Sequence, residues 1–326
     1  MSTNVRWGIL STANIARTRL IPSISSSRNG TVAAIASRAL ERAQACAQEF
    51  GIPQAYGSYE ELLAADDIDA IYLPLPTAMH KEWALKCAEA GKPTLCEKPI
   101  AANADEARAM VDAFADRDLL FAEAFMYKYH PLNLKAKELV DAGTIGDVHM
   151  VRATFNCNPD PEGNFRFRKG MGAGALRDVG SYCISFIRMI AGEEPTVASA
   201  CATSRPESGA DDRMTGALQF PSGVLAYFGC SLTTFYDCSY EIDGTAGRIQ
   251  VPLGALCAWP DGEFSIKVWT NDGEEELVFP ATDSYQVMVE DFAECLQTGR
   301  VPLYSPEDSV RNMEVIDRLR ASAGVE

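Results

Sequence analysis

The chain has 326 residues and a formal net charge of −16, from 45 acidic against 29 basic side chains; it is long enough for two cores, and no Lys/Arg cluster offers the footprint of a nucleic-acid partner. Its ten cysteines form no C-x-x-C pair and its three histidines, His80, His130 and His149, stand apart from them, so no metal is expected and the thiols read as those of a reducing cytoplasm. No apolar run approaches the ~20 residues that cross a bilayer, and "MSTNVRW" lacks the basic and apolar blocks of a signal peptide, so the expectation is a soluble, cytoplasmic chain with no membrane partner.

Short apolar runs alternate with helical patterns from the start: "VRWGIL" then residues 14–26, "TVAAIAS" then 39–50, "IDAIYLPLP" then 77–90, "PTLCEKP" then 103–116, and "LLFAEAF" at 119–125. Strands buried on both faces need continuous apolar sequence, so this rhythm predicts an α/β domain over residues 1–124, a parallel sheet with helices on both faces. The pattern then changes. "HPLNLKAKELVDAGTIGDV" supplies a helix and a turn, a helix follows over 175–191, and then come "TVASACAT", "RMTGALQF", "GVLAYFGCSL", "CSYEIDG", "GRIQVPL", "FSIKVWT" and "EELVFP", many joined by Gly, Asp or Pro turns. The expectation is an α+β domain over 125–326, built on an open, mostly antiparallel sheet of six strands with one helical face. Two helices close the chain, "DSYQVMVEDFAECLQTG" and "SPEDSVRNMEVIDRLRAS", the second opening on Ser305, Pro306 and Asp308 and able to pack back on the first domain. Apolar positions in "SYEIDG", "RIQVPL" and "SIKVWT" predict a homodimer through the open face of that sheet.

The first strand and turn, "VRWGILSTANIAR", align with a dinucleotide fingerprint as Ser11-x-Ala13-x-x-Ala16: every glycine position is small, none is Gly. The amides of a helix start bind an anion whatever their side chains. Ser11, Thr12, Ala13, Asn14 and Ile15 are therefore the expected pyrophosphate cradle of a Rossmann domain. The second strand ends in Ser37 and Arg38 rather than in the acidic residue that holds a ribose diol; Arg38 can pair with a 2′-phosphate, so NADP(H) is preferred, with NAD(H) possible. Pro74 and Pro76 shape a wall after the third predicted strand, and Leu75, Pro76 and His80 are assigned to the cofactor.

"LCEKPIA" sets Glu97 and Lys98 at the carboxyl end of a parallel strand, the edge where ligands of open α/β sheets bind. Lys98 is the expected catalytic cation, and Glu97 orients it or the cofactor. In "GAGALRDVGSYC", Asp178 and Tyr182 are one helical turn apart, and a phenol of ordinary pKa ~10 becomes a usable base near a lysine ammonium. Lys98 and Tyr182 form the predicted proton-transfer pair, with Asp178 beside them. "EAFMYKYHP" offers Tyr127, Lys128 and His130 to the substrate side, and "NCNPDPEGNFRFR" a flap with Phe155 and Arg168.

"WGILSTANIA", "SR", "YLPLPTAMH", "CEKPIA", "AEAFMYKYHP" and "GALRDVGSYC", spread from Trp7 to Cys183, together resemble the glucose-fructose oxidoreductase, inositol dehydrogenase and rhizopine catabolism protein family. The resemblance implies a nucleotide domain followed by a substrate domain, assembled in dimers or tetramers through the open sheet. It carries the catalytic-lysine role to Lys98 and the substrate-side carboxylate role to Asp178. Many members have histidine where this chain has Tyr182; tyrosine there is similar to the xylose dehydrogenase and dimeric dihydrodiol dehydrogenase branch, where it is the acid/base. The implied reaction is NADP-dependent hydride transfer with a small polyol, sugar or carbonyl substrate, an aldopyranose oxidised at C1 to a lactone. Trans-dihydrodiol oxidation, dicarbonyl reduction and a non-catalytic NADP(H) sensor remain the alternatives.

Overall fold

The structure is a computed structural model that describes residues 4–162, 164–168, 170–172, 174–205, 209–257 and 262–325. The chain divides into two compact units, Met1–Ala124 with Tyr285–Val310, and Phe125–Ser284 with Arg311–Glu326.

The first unit holds strands β1 (Val5–Leu10), β2 (Gly30–Ala36), β3 (Gln54–Tyr56), β4 (Ala70–Leu73), β5 (Thr94–Cys96) and β6 (Phe121–Glu123), with helices α1 (Ile21–Ser26), α2 (Leu40–Phe50), α3 (Tyr59–Leu63), α4 (His80–Glu89) and α5 (Ala104–Ala115). The strands are all parallel, in the order β3-β2-β1-β4-β5-β6. β4 is buried at every position and β1 at all but Arg6, which is why both read as unbroken apolar runs. Gly8 lets the side chain of Leu62 in α3 pack close to the strand, since a Cβ there would lie 2.6 Å from Leu62 Cδ2. Side-chain caps set the helix starts, Ser58 Oγ accepting the Glu61 amide at 3.2 Å and Asn103 Oδ1 the Glu106 amide at 2.9 Å. β3 and α3 are the elements that the apolar rhythm does not announce; each is only three to five residues long.

The second unit holds β7 (Val148–Asn156), β8 (Val197–Ser204), β9 (Asp211–Gln219), β10 (Leu225–Ser231), β11 (Asp237–Gly244), β12 (Gly247–Val251), β13 (Phe264–Thr270) and β14 (Gly273–Phe279), with α6 (Pro131–Asp141) and α7 (Ser181–Ala191). The sheet order is β14-β13-β12-β11-β7-β10-β9-β8, antiparallel except where β10 runs parallel to β7. Eight strands stand among the described residues where six were expected: all seven apolar runs read from the sequence form strands, β8 to β14, and β7 adds one more. The strand not read from sequence, β7, is near the middle, and it buries only Val151, Ala153 and Phe155, too dilute a pattern to be noticed. Helix α7 is buried from Ser181 through Arg188, and its Phe186 stacks on Tyr240 of β11 with ring centroids 4.0 Å apart. The apolar residues expected to line a dimer face, Tyr240, Ile242, Ile249, Val251, Ile266 and Val268, are instead buried. The alternate positions of these strands carry Glu241, Asp243 and Arg248, which pair with one another and with Arg152. Exposed apolar side chains lie elsewhere in this sheet, at Met150, Val197, Leu225 and Tyr227.

Helix α8 (Ser284–Thr298) and the first turn of α9 (Pro306–Ser322) fall with the first unit, so a second domain running unbroken over 125–326 is not what forms. Phe292 of α8 packs on Trp7 of β1 at 5.2 Å, and Asn29 Nδ2 donates to the Glu290 carbonyl at 2.9 Å. The returning helix is thus chiefly the penultimate one, because its apolar face meets the first sheet; residues 311–326 of α9 belong to the second unit. Ser305 Oγ accepts the Glu307 amide at 3.2 Å at the start of α9. No described helix is long and apolar enough to cross a membrane.

Candidate functional site

The residues assigned to the cofactor all follow the carboxyl ends of adjacent parallel strands, β2, β1, β4 and β5, so the first unit gathers them along one sheet edge. After β1, Ser11 adopts φ +132, the kind of backbone that glycine supplies in the ordinary fingerprint. Its Oγ accepts the Ala13 amide at 2.9 Å, a local bond that supports the strained turn. Thr12, Ala13, Asn14 and Ile15 follow directly, helix begins at Asn14, and a π-type turn over Ala16–Leu20 leads into α1. π-turns of this kind recur at functional sites.

After β2, Ser37 is buried and its amide bonds to the Tyr56 carbonyl at 3.2 Å, while Arg38 is exposed. Arg42, four residues on and also exposed in α2, was passed over in the sequence; among the described residues neither arginine makes an ion pair. The chain therefore fits a phosphorylated dinucleotide: amides at a helix start for the pyrophosphate, two unpaired guanidinium groups for a 2′-phosphate.

Leu75 is buried and Pro76 half-buried. His80 acts as a clamp: Nε2 lies 2.7 Å from the Leu75 carbonyl, and Nδ1 3.0 and 3.1 Å from the carbonyls of Pro99 and Ile100. Burial lowers its pKa against the pull of those carbonyls. It ties the loop after β4 to the segment after β5. There, Glu97 is buried; its Oε1 accepts the Tyr72 hydroxyl at 2.7 Å and its Oε2 the Lys98 amide at 3.2 Å. Burial, reinforced by Glu97, pushes the Tyr72 phenol well above its ordinary pKa, so Tyr72 stays a donor and holds Glu97 in place. Lys98 leads into a cis peptide bond to Pro99.

In the second unit Asp178 lies in a π-type turn, Leu176–Gly180, that runs straight into α7 and Tyr182. Tyr182 is buried, its hydroxyl donates to Met126 Sδ at 3.8 Å, and its ring sits among Phe125, Phe155 and Tyr127 at centroid distances of 5.2, 5.4 and 5.7 Å. Tyr127 donates its own hydroxyl to Ser185 Oγ at 2.8 Å. Phe155 and Tyr127 thus pack their rings around Tyr182. Arg168 is exposed and makes no ion pair among the described residues. The arginine that reaches the carboxylate is Arg166, whose Nε donates to Asp178 Oδ2 at 2.5 Å. In "NFRFR" the two arginines alternate, and only the turn over Phe165–Phe167 decides which faces inward; Gly163 of the expected flap lies outside the described residues. His130 caps α6, its Nδ1 accepting the Leu132 amide at 3.1 Å, and burial lowers its pKa to about 4. Lys128 is buried with Nζ 5.7 Å from the Phe125 ring centroid. The nearby thiols of Cys183 and Cys230 are buried and pushed up by burial, so neither offers a thiolate.

The start of this segment is pinned by residues that no sequence motif marks. Asp211 of β9 accepts the Leu176 amide on Oδ2 at 2.7 Å and pairs through Oδ1 with Arg320 Nη1 of α9 at 3.2 Å, both side chains almost wholly buried. Gly174 has φ +124, and a Cβ on it would lie 2.2 Å from Asp211 Oδ1. Among the described residues no group of three His, Cys, Asp or Glu side chains is arranged to hold a metal ion.

Residues 5–125 match the oxidoreductase family with an NAD-binding Rossmann fold, and residues 133–250 match the GFO/IDH/MocA C-terminal domain. A D-xylose 1-dehydrogenase (NADP(+)) of Haloferax volcanii is 39% identical over 97% of this chain and 97% of its own length. The trans-1,2-dihydrobenzene-1,2-diol dehydrogenase of Bos taurus is 36% identical over 98% of this chain and 97% of its own. Among solved structures, a 3-ketoreductase from Actinomadura kijaniata in complex with NADP and TDP-benzene superposes with a TM-score of 0.92 at 29% identity, covering 98% of each chain. With both halves matched in order and relatives aligned over nearly the full length, the chain belongs to the GFO/IDH/MocA family of oxidoreductase enzymes.

Proposed function

We propose that the protein is an NADP-dependent dehydrogenase that oxidises a sugar, at C1 of an aldopyranose, to a lactone. The observation that carries the reading is Tyr182, a buried phenol whose hydroxyl donates to Met126 Sδ, one helical turn from an ion-paired Asp178 on the same segment. In this reading Ser11 to Ile15 hold the pyrophosphate, Ser37 with Arg38 and Arg42 the 2′-phosphate, and Leu75, Pro76 and Glu97 border the nicotinamide. The bound nicotinamide supplies a hydride acceptor. Tyr182, ionised to its phenolate, takes the proton of the substrate hydroxyl as that carbon gives up its hydride and then releases it to solvent; Lys98 stabilises the phenolate or alkoxide, and Asp178 orients a neighbouring hydroxyl. The names of the xylose dehydrogenase and 3-ketoreductase relatives support both the sugar and NADP. Ten cysteines scattered without a C-x-x-C pair support a cytoplasmic enzyme. Met150, Val197, Leu225 and Tyr227 are the surface on which a second copy docks, read by sedimentation as a dimer.

A second reading, oxidation of a cyclic trans-dihydrodiol, is favoured by the aromatic walls around Tyr182, which suit a flat apolar ring. One experiment separates the two: NADPH and NADH titrations, then reduction of each oxidised cofactor in the presence of xylose, glucose or a cyclic dihydrodiol, with Tyr182→Phe alongside. The expected result is NADPH preference, sugar-dependent turnover, and a loss of about 10²–10⁴-fold in the variant with cofactor affinity unchanged. Full activity in Tyr182→Phe overturns the mechanism, and binding without turnover on any substrate points to a sensor.

A further inference from the structure

Asp178 and Tyr182 are four residues apart on one helical segment, and a carboxylate at that spacing opposes the ionisation of a phenol that must accept a proton's charge. The same unit supplies the counterweight. Arg166 Nε donates to Asp178 Oδ2 at 2.5 Å from the short turn after β7, and the Arg166 amide is itself held by Asn164 Oδ1 at 3.1 Å. A third of the Arg166 side chain remains open to solvent, against 13% for Asp178, so the pair sits at the rim of the Tyr182 site.

We propose that Arg166 is a positioning residue for proton transfer, which neutralises Asp178 and so allows Tyr182 to carry negative charge beside it. The inference rests on the reading of Tyr182 as the acid/base. Asp178 first, and more weakly the Tyr182 phenol, hold the Arg166 guanidinium above its ordinary pKa against the cost of burial, so the three groups share one local field. Among the described residues, Tyr127, whose hydroxyl donates to Ser185, packs on the Tyr182 ring, Lys128 Nζ lies 5.7 Å from the Phe125 ring centroid, and Cys157 adds to the field that raises Arg166. Phe125 and Phe155 carry no charge. Arg166 is thus a cation in direct contact with Asp178.

The test follows the ionisation of Tyr182 directly, by phenolate absorbance of the intact protein minus that of its Tyr182→Phe variant, together with the pH dependence of kcat in the oxidative direction. Arg166→Met removes the cation and unmasks the Asp178 carboxylate; both effects raise the phenol pKa, so the titration and the ascending limb of kcat move up by about 1 unit or more. Arg166→Lys restores most of that shift, and adding Asp178→Asn to Arg166→Met brings the titration back toward the wild-type position. An unmoved phenol titration in Arg166→Met overturns the inference while leaving Tyr182 as the base. Full turnover in Tyr182→Phe removes the proton-transfer role from Tyr182 and with it the inference.

Discussion

Replacing Asp211 by alanine is expected to loosen the segment that carries Asp178 and Tyr182. The Asp211 side chain has 0% exposure and its partner Arg320 6%, with 3.2 Å between Nη1 and Oδ1. Truncation leaves a guanidinium buried without a counter-charge and leaves the Leu176 amide, now bonded at 2.7 Å, without an acceptor. Breaking a buried pair from one side costs about 3–5 kcal/mol, and an orphaned amide about 1–3 kcal/mol. Both losses come from one carboxylate, so they overlap, and the expected destabilisation is about 3–5 kcal/mol. Two compact units need not unfold in one step, so the assay is amide hydrogen exchange over residues 176–191 rather than a single melting curve. At about 1.4 kcal/mol per decade, exchange there accelerates by about two to three orders of magnitude. Turnover falls with it, while affinity for the cofactor is retained. The double substitution Asp211→Leu with Arg320→Met removes both charges and is expected to be more stable than Asp211→Ala, because an apolar replacement of a buried pair is often near neutral. Wild-type protection over 176–191 in Asp211→Ala, or a double variant less stable than the single, refutes the anchoring role.

At Ser11, φ +132 strains any side chain by about 1–3 kcal/mol; Ser11→Ala keeps the strain and loses the bond to the Ala13 amide, so Ser11→Gly should be the more stable of the two by a similar amount in urea titrations. His130, held at about 4 by burial and free to titrate near 6.5 once unfolded, makes the unfolded chain bind more protons between those values. Its contribution is therefore complete above about pH 6.5 and declines, by up to about 3 kcal/mol, as pH falls toward 4. His130→Asn keeps an acceptor for the Leu132 amide but does not titrate, so its stability should vary less with pH over that window; an identical pH profile contradicts the assignment.

The first unit was largely legible because fully buried parallel strands write themselves as apolar runs, and their carboxyl ends then fall at known positions. Ser11, Arg38, Glu97 and Lys98 each follow a strand end read in this way. What stayed hidden depends on partners distant in sequence. Arg166 could not be told from Arg168 by alternation alone, since the choice belongs to a three-residue turn. Asp211 and Arg320 carry no motif: their role exists only because β9 and α9 meet the start of the Leu176–Gly180 turn. His130 reads as chemistry in "YHP" and turns out to be a cap, because the proline that follows opens a helix. The dimer face was misread because period-2 strands show which residues alternate but not which alternate set faces inward.

Both candidate sites are built on the same local device. In each, a residue at strongly positive φ, Ser11 at +132 or Gly174 at +124, lies just before a helical segment that contains a π-type turn near its start, over Ala16–Leu20 or Leu176–Gly180. Such backbone costs free energy and persists only where neighbours over-determine it. The neighbours differ. At the first site a serine hydroxyl bonded to the next turn supports the conformation locally, so a side chain is tolerated where the fingerprint has glycine. At the second, a buried carboxylate fills the space a Cβ would need, and glycine is obligatory. Whether a glycine in such a turn can be replaced therefore depends less on the turn than on what occupies the volume beside it, and that volume is set by side chains far away in the chain.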